Sequence, residues 1–248
     1  MSFNTLLPFL STVVMAVFTV WVLQRYVVRR KLHFLFWGLG LAMFGFGSFA
    51  EAYLAITWNK WVFFGWYLFG AALTAGWIGH GTVYLLFRKK WVHWVTAVLL
   101  LGSLFAAYLM FVAIQNLNVA AFSPAVPISE QYREILPAID AGGAVRLTTP
   151  FFNVYGLLTL VGGALWSAYL FWRKRVLPNR VIGNVLIAAG ALSIGLASTL
   201  TRLGNGSYLF LGELVAAILM FVGFRYAAKP APAPLTSEPA FQASDAGD

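Results

Sequence analysis

The sequence predicts an all-α membrane protein of seven transmembrane helices, and three observations predict it. Of 248 residues, 60% are hydrophobic and 10% are charged, where a soluble domain carries about 25% charged. Seven apolar runs each reach the roughly 20 residues that a helix needs to cross a bilayer core. The Lys and Arg residues, 17 in all, fall mostly in short clusters between those runs, as topology requires. A net charge of +9 would otherwise suggest nucleic acid, but this clustering excludes it as a partner and points to the lipid bilayer. Cysteine is absent, which removes disulfides, thiolate metal sites and thiol catalysis.

The elements follow in order. The first run, 6–28, ends at Arg29, Arg30 and Lys31, and the start "MSFNT" has no basic region. It therefore reads as a span and not as a cleavable leader. The second run, 34–57, carries a single acid, Glu51, in "FGFGSFAEAYLAI". After the turn "TWNKW", the third run covers 62–87 and ends at "RKK"; the fourth covers 93–115. The segment 116–150 is an extracytoplasmic loop, in which "ISEQYREILPAID" forms either a short amphipathic helix, with Ile128, Tyr132, Ile135 and Leu136 on one side, or a linker with a turn or two. The fifth run, 151–172, leads into "RKRVLPNR". The sixth, 181–201, is rich in Gly, Ala and Ser, the composition of a helix packed on several sides. The seventh covers 208–228. The seven-helix domain thus spans 1–228, and the Pro/Ala-rich tail 229–248 is expected to be disordered and cytoplasmic.

Orientation follows from the basic residues. One side of the layout receives thirteen of the 17 and the other four: Lys60, Arg133, Arg146 and Arg202. The first side is expected to be cytoplasmic, with the N-terminus outside and the C-terminus inside, in a bacterial cytoplasmic membrane. Trp58, Trp61, Trp66 and Tyr208 fit an outer aromatic belt; Tyr84, Trp91, Trp94, Tyr169 and Trp172 fit an inner one. Spans 1–3 and 5–7 run in the same directions and share a basic turn after their first helix. "WYLFGA" and "SYLFLGE" open the third and seventh. This suggests a 3+1+3 repeat joined by the fourth helix.

Ionisable groups inside spans are costly, so each is a candidate for function. Glu51, Glu213 and Arg202 lie near the outer ends of helices 2, 7 and 6, with Asn153 and Tyr67 at similar depth. At about 1.5 Å per residue they occupy one outer-leaflet layer, a candidate ligand-binding pocket. An arginine between two carboxylates holds one ionised and leaves the other to bind a cation or proton. The plainer alternative is an ion pair of Arg202 with one glutamate that locks packing. His80, in "AGWIGHGTVY", is a candidate proton relay or cofactor contact, against the plainer role of a packing histidine. His33 and His93 are some two turns shallower, so a bis-His haem is not expected. The seventh span has no Lys, which removes a covalent retinal of the microbial rhodopsin kind. HExxH, GxSxG and Walker patterns are absent, no metal site is expected, and little suggests an enzyme.

Helices 1–4 carry a resemblance. A basic turn precedes an apolar helix with a Glu near its outer end; then come a Trp-rich loop, a "WYLFG" helix start and a helix end "YLLFRKK". Over roughly 5–95 this resembles the seven-helix membrane-sensor domain of bacterial histidine kinases. The resemblance implies a sensory input. No kinase follows the seventh helix in this chain, so the output would belong to a separate protein partner. The 3+1+3 layout is also similar to small sugar carriers of the SWEET kind, though their paired Pro-Gln signatures are absent. The expected function is a sensory or ligand-binding module, or an accessory subunit of a membrane complex, that takes a small hydrophobic or anionic ligand in the outer layer. The alternative is a small-solute or proton-coupled carrier using Glu51, Glu213 and His80. The largely apolar midplane tilts the balance toward the module.

Overall fold

The computed structural model describes residues 3–87, 89–175, 177–202 and 207–229. Among them are eight substantial helical elements and no strand. They are α1 (Phe3–Arg29), α2 (Leu32–Leu54), α3 (Lys60–Leu86), α4 (Trp91–Ala113), a surface helix α5 (Ile128–Ile135), α6 (149–173), α7 (Pro178–Arg202) and α8 (Ser207–Ala227). All but α5 are long and apolar enough to span a bilayer, so this is an integral membrane protein. Helix is the natural solution, because lipid leaves every backbone group to be satisfied within the segment. The tail from 230 onward lies outside the described residues.

Local chemistry sets the helix ends. The Asn59 side chain accepts from the N–H groups of Trp61, at 2.9 Å, and Val62, at 3.2 Å, and so starts α3. Arg30, at φ 51°, stops α1 by entering the left-handed region, and Arg175 and Leu177, at 49° and 53°, turn the chain between α6 and α7.

Six spans form a ring. Each neighbour in the order α1, α2, α3, α6, α7, α8 packs on the next, and α8 closes back onto α1. The triplets α1–α3 and α6–α8 each fill half of the ring in the same cyclic order. Helix α4 stands outside, resting on α3 and on the 143–147 turn. The halves meet where α3 crosses α6, and both helices widen there into π turns, Trp66–Leu73 and Leu157–Gly162. Close approach needs glycine: a Cβ on Gly79 would stand 3.0 Å from the Gly156 Cα. The α2–α3 contact works the same way, with a Cβ on Gly47 falling 2.8 Å from the Gly70 Cα.

The 116–150 segment is a cap. Ile128 and Ile135 of α5, with Leu136 just after it, bury against Phe63, Trp66, Tyr67 and Met110 at one end of the bundle. The Gln131 amide ties the cap down, accepting from Ser123 N–H at 2.8 Å and donating to the carbonyls of Ser123, at 2.8 Å, and Val126, at 2.6 Å. Two belt assignments change with the fold. Trp66 is buried beneath this cap, and Tyr84 is tied into a hydrogen-bonded chain described below; both rings turn inward because their polar atoms find partners inside.

Candidate functional site

Glu51 and Glu213 meet. Glu51 is 5% exposed, on α2. Its Oε1 accepts from the Trp66 indole N–H at 3.1 Å, and the π turn of α3 begins at that tryptophan. Its Oε2 is buried with no donor from the protein. The Glu213 carboxyl, from α8, faces it within hydrogen-bonding reach, and Ser48 Oγ donates to Glu213 Oε2 at 3.5 Å. Two carboxylates have no hydrogen between them. In an apolar setting such a contact would need a shared proton or a small cation to complete it. The pair joins two helices that are not neighbours in the ring, and it closes the end under the cap.

The other residues expected in this layer go elsewhere. Tyr67 hydrogen-bonds Thr149 Oγ1 at 3.2 Å and packs its ring on Tyr132 of the cap. Asn153 is exposed and donates to the Ala71 carbonyl at 3.4 Å. Arg202 ends α7, and its side chain lies outside the described residues. Ser48 and Trp66 are the additions. Ser48 had a signal, since it stands three residues before Glu51 and so shares its helix face.

His80 is fully buried and both ring nitrogens are engaged. Nδ1 lies 2.6 Å from the Tyr155 hydroxyl and Nε2 2.8 Å from Thr96 Oγ1. Thr96 continues to the Tyr84 hydroxyl at 2.8 Å, and Tyr84 to His93 Nδ1 at 3.1 Å. Thr96 donates to the Val92 carbonyl. It therefore accepts from Tyr84 O–H and His80 Nε2–H, and His80 Nδ1 accepts from Tyr155. The chain runs from the middle of the bundle to an exposed histidine at the basic face. This chain lies in the basic-side half of α3 and α4. Near the middle of α4, Ser103 accepts from Trp77 N–H at 3.1 Å and interrupts the largely apolar midplane expected from the sequence; Trp37 N–H to Thr82, at 3.3 Å, lies nearer the basic face.

The basic face opens into a cavity of about 790 Å³ inside the ring. Arg25, Arg29 and Arg180 stand among its mouth residues, Trp37 and Phe224 form wall, and Leu41, Ile78 and Met220 lie deepest. Beyond them Met15, Phe44 and Ala217 continue the same apolar cluster. Glu51 is seven residues past Phe44, roughly 10 Å further along α2. The ring is thus open on the basic side and shut on the capped side. Comparison with protein families, with curated proteins and with solved structures finds no match for this chain.

Proposed function

We propose that the protein is a small-solute carrier of 3+1+3 architecture, with the basic face cytoplasmic and the carboxyl pair Glu51–Glu213 as its proton or cation site. The observation that carries this reading is the cavity: it lies within the six-helix ring, reaches mid-depth from one face, and is closed from the other by packed side chains. That is the form of one of the two states alternating access requires. The π turns of α3 and α6 lie where the two halves meet, and such turns recur at functional positions. Tyr84 and His93 of the His80 chain also line the cavity and give its wall polar groups. A sensory module reading its signal in the outer layer is less favoured, because the carboxyls there are packed against Trp66 and Ser48.

Transport is tested in proteoliposomes loaded with a pH-sensitive dye or, in parallel, a sodium-sensitive dye, and challenged with panels of organic anions, organic cations, sugars and amino acids. At least one class is expected to move protons or sodium with it. A silent response to every class, with correctly folded protein in the vesicles, contradicts the carrier reading.

A further inference from the structure

We infer that the basic-face cavity binds an amphiphilic organic anion, with its acid group at the rim and its apolar body against the aromatic wall; this rests on the reading of that cavity as the working site. Six cationic side chains line it, Arg25, Arg29, Lys31, Lys89, Lys90 and Arg180, and among the described residues no Asp or Glu does. Membrane topology alone asks only for basic residues in the connecting loops. Arg25 and Arg180 belong to the helices of the ring itself. Both are held in place. The Arg25 guanidinium lies 3.9 Å from the centre of the Trp21 ring, and Arg180 5.3 Å from that of Phe171. A cleft of one sign with low-dielectric walls concentrates the opposite charge. A cation is repelled from it.

The interior suits an apolar body. Trp37 meets Phe224 edge to face at 5.1 Å, and Phe34 meets Phe224 at 6.4 Å, which makes a firm aromatic surface. The Thr82 hydroxyl already accepts from Trp37. Among the described residues the Asn184 amide has no hydrogen-bond partner and opens into the cavity, where it can receive one polar atom of a ligand. A sugar would find too few partners for its hydroxyls and would leave them unsatisfied. A volume of about 790 Å³ admits a molecule of drug size. The acid group could arrive on a water-soluble amphiphile or as the head of an anionic lipid, and the test separates the two.

The full chain in phosphatidylcholine nanodiscs is titrated with pyrenebutyrate, read by energy transfer from tryptophan, and in parallel with pyrenebutanol. The acid is expected to bind saturably at one site, and the alcohol about tenfold more weakly, the loss of one charge-assisted hydrogen bond. Arg25→Gln and Arg180→Gln are each expected to weaken the acid about tenfold and leave the alcohol unchanged, so that the alcohol reports an intact cavity. Phosphatidylglycerol in the disc that competes with the acid assigns the site to a lipid head; no competition assigns it to a soluble anion. Equal affinity for acid and alcohol overturns the inference, as does wild-type affinity for the acid in both variants. Binding is read with one solution on both faces. A failure here leaves transport untouched, and a failure of transport leaves the binding result standing.

Discussion

Gly79→Val is expected to be among the most damaging single substitutions in the protein. A Cβ at Gly79 would meet the Gly156 backbone at 3.0 Å, where no side-chain rotation can give relief. The two helices must part, and with them the π turns on either side of the crossing. Overpacking of this kind costs roughly 3 kcal/mol at the upper end. For a chain of this size that lowers the apparent melting temperature by about 6–12 °C. Gly195→Val is the control. Gly195 lies on α7 with nothing within 4 Å of its added Cβ, and the same isopropyl group there should leave melting nearly unchanged. Equal losses at both positions would show that the α3–α6 crossing has no special tightness.

The second large effect is functional. The double variant Glu51→Gln with Glu213→Gln is expected to keep or raise the melting temperature while abolishing coupled transport, a loss of about a hundredfold or more. Glutamine has the size of glutamate, and each amide can donate to the carbonyl of the other, so the contact is complete without a proton or a cation. The Trp66 and Ser48 donors keep their acceptors. What is lost is exchange: an amide neither takes up a proton nor holds sodium. A pair that serves packing alone would leave transport intact in the same variant. The two roles therefore separate on one protein, by reading melting and flux together.

Much of this arrangement is legible in the sequence, and the limits have physical causes. Hydropathy counts apolar length directly, so the seven spans and the basic turns between them are visible, and α1–α4 and α6–α8 fall close to their expected bounds. Depth is also countable at about 1.5 Å per residue, which is why position along the chain alone assigns Glu51 and Glu213 to one layer. Azimuth is not countable. Tyr67 and Asn153 share that depth but face Thr149 and the Ala71 carbonyl instead. Trp66 reads as a belt residue because an indole is amphipathic wherever it sits; in the fold it opens the π turn of α3 and its N–H reaches Glu51. The His80 chain is hidden for a related reason. Its links are hydroxyls of Thr96, Tyr84 and Tyr155, which a hydropathy scale counts as nearly neutral. The cavity is not legible at all, since ring order decides whether Arg25 and Arg180 edge an enclosed space or the lipid.

The most direct test of the carrier reading uses the absence of cysteine in the chain. Leu41→Cys places a lone thiol at the deep end of the cavity. Membrane-impermeant methanethiosulfonate reagents are then applied from one face at a time, in right-side-out and inside-out vesicles. The carrier reading predicts labelling from both faces, fast from the basic side and slower from the capped side, with the slower rate changing when the cation or pH gradient is reversed. Labelling from the basic face alone, under every gradient, would mean that the ring never opens under its cap and that the cavity is a fixed binding site.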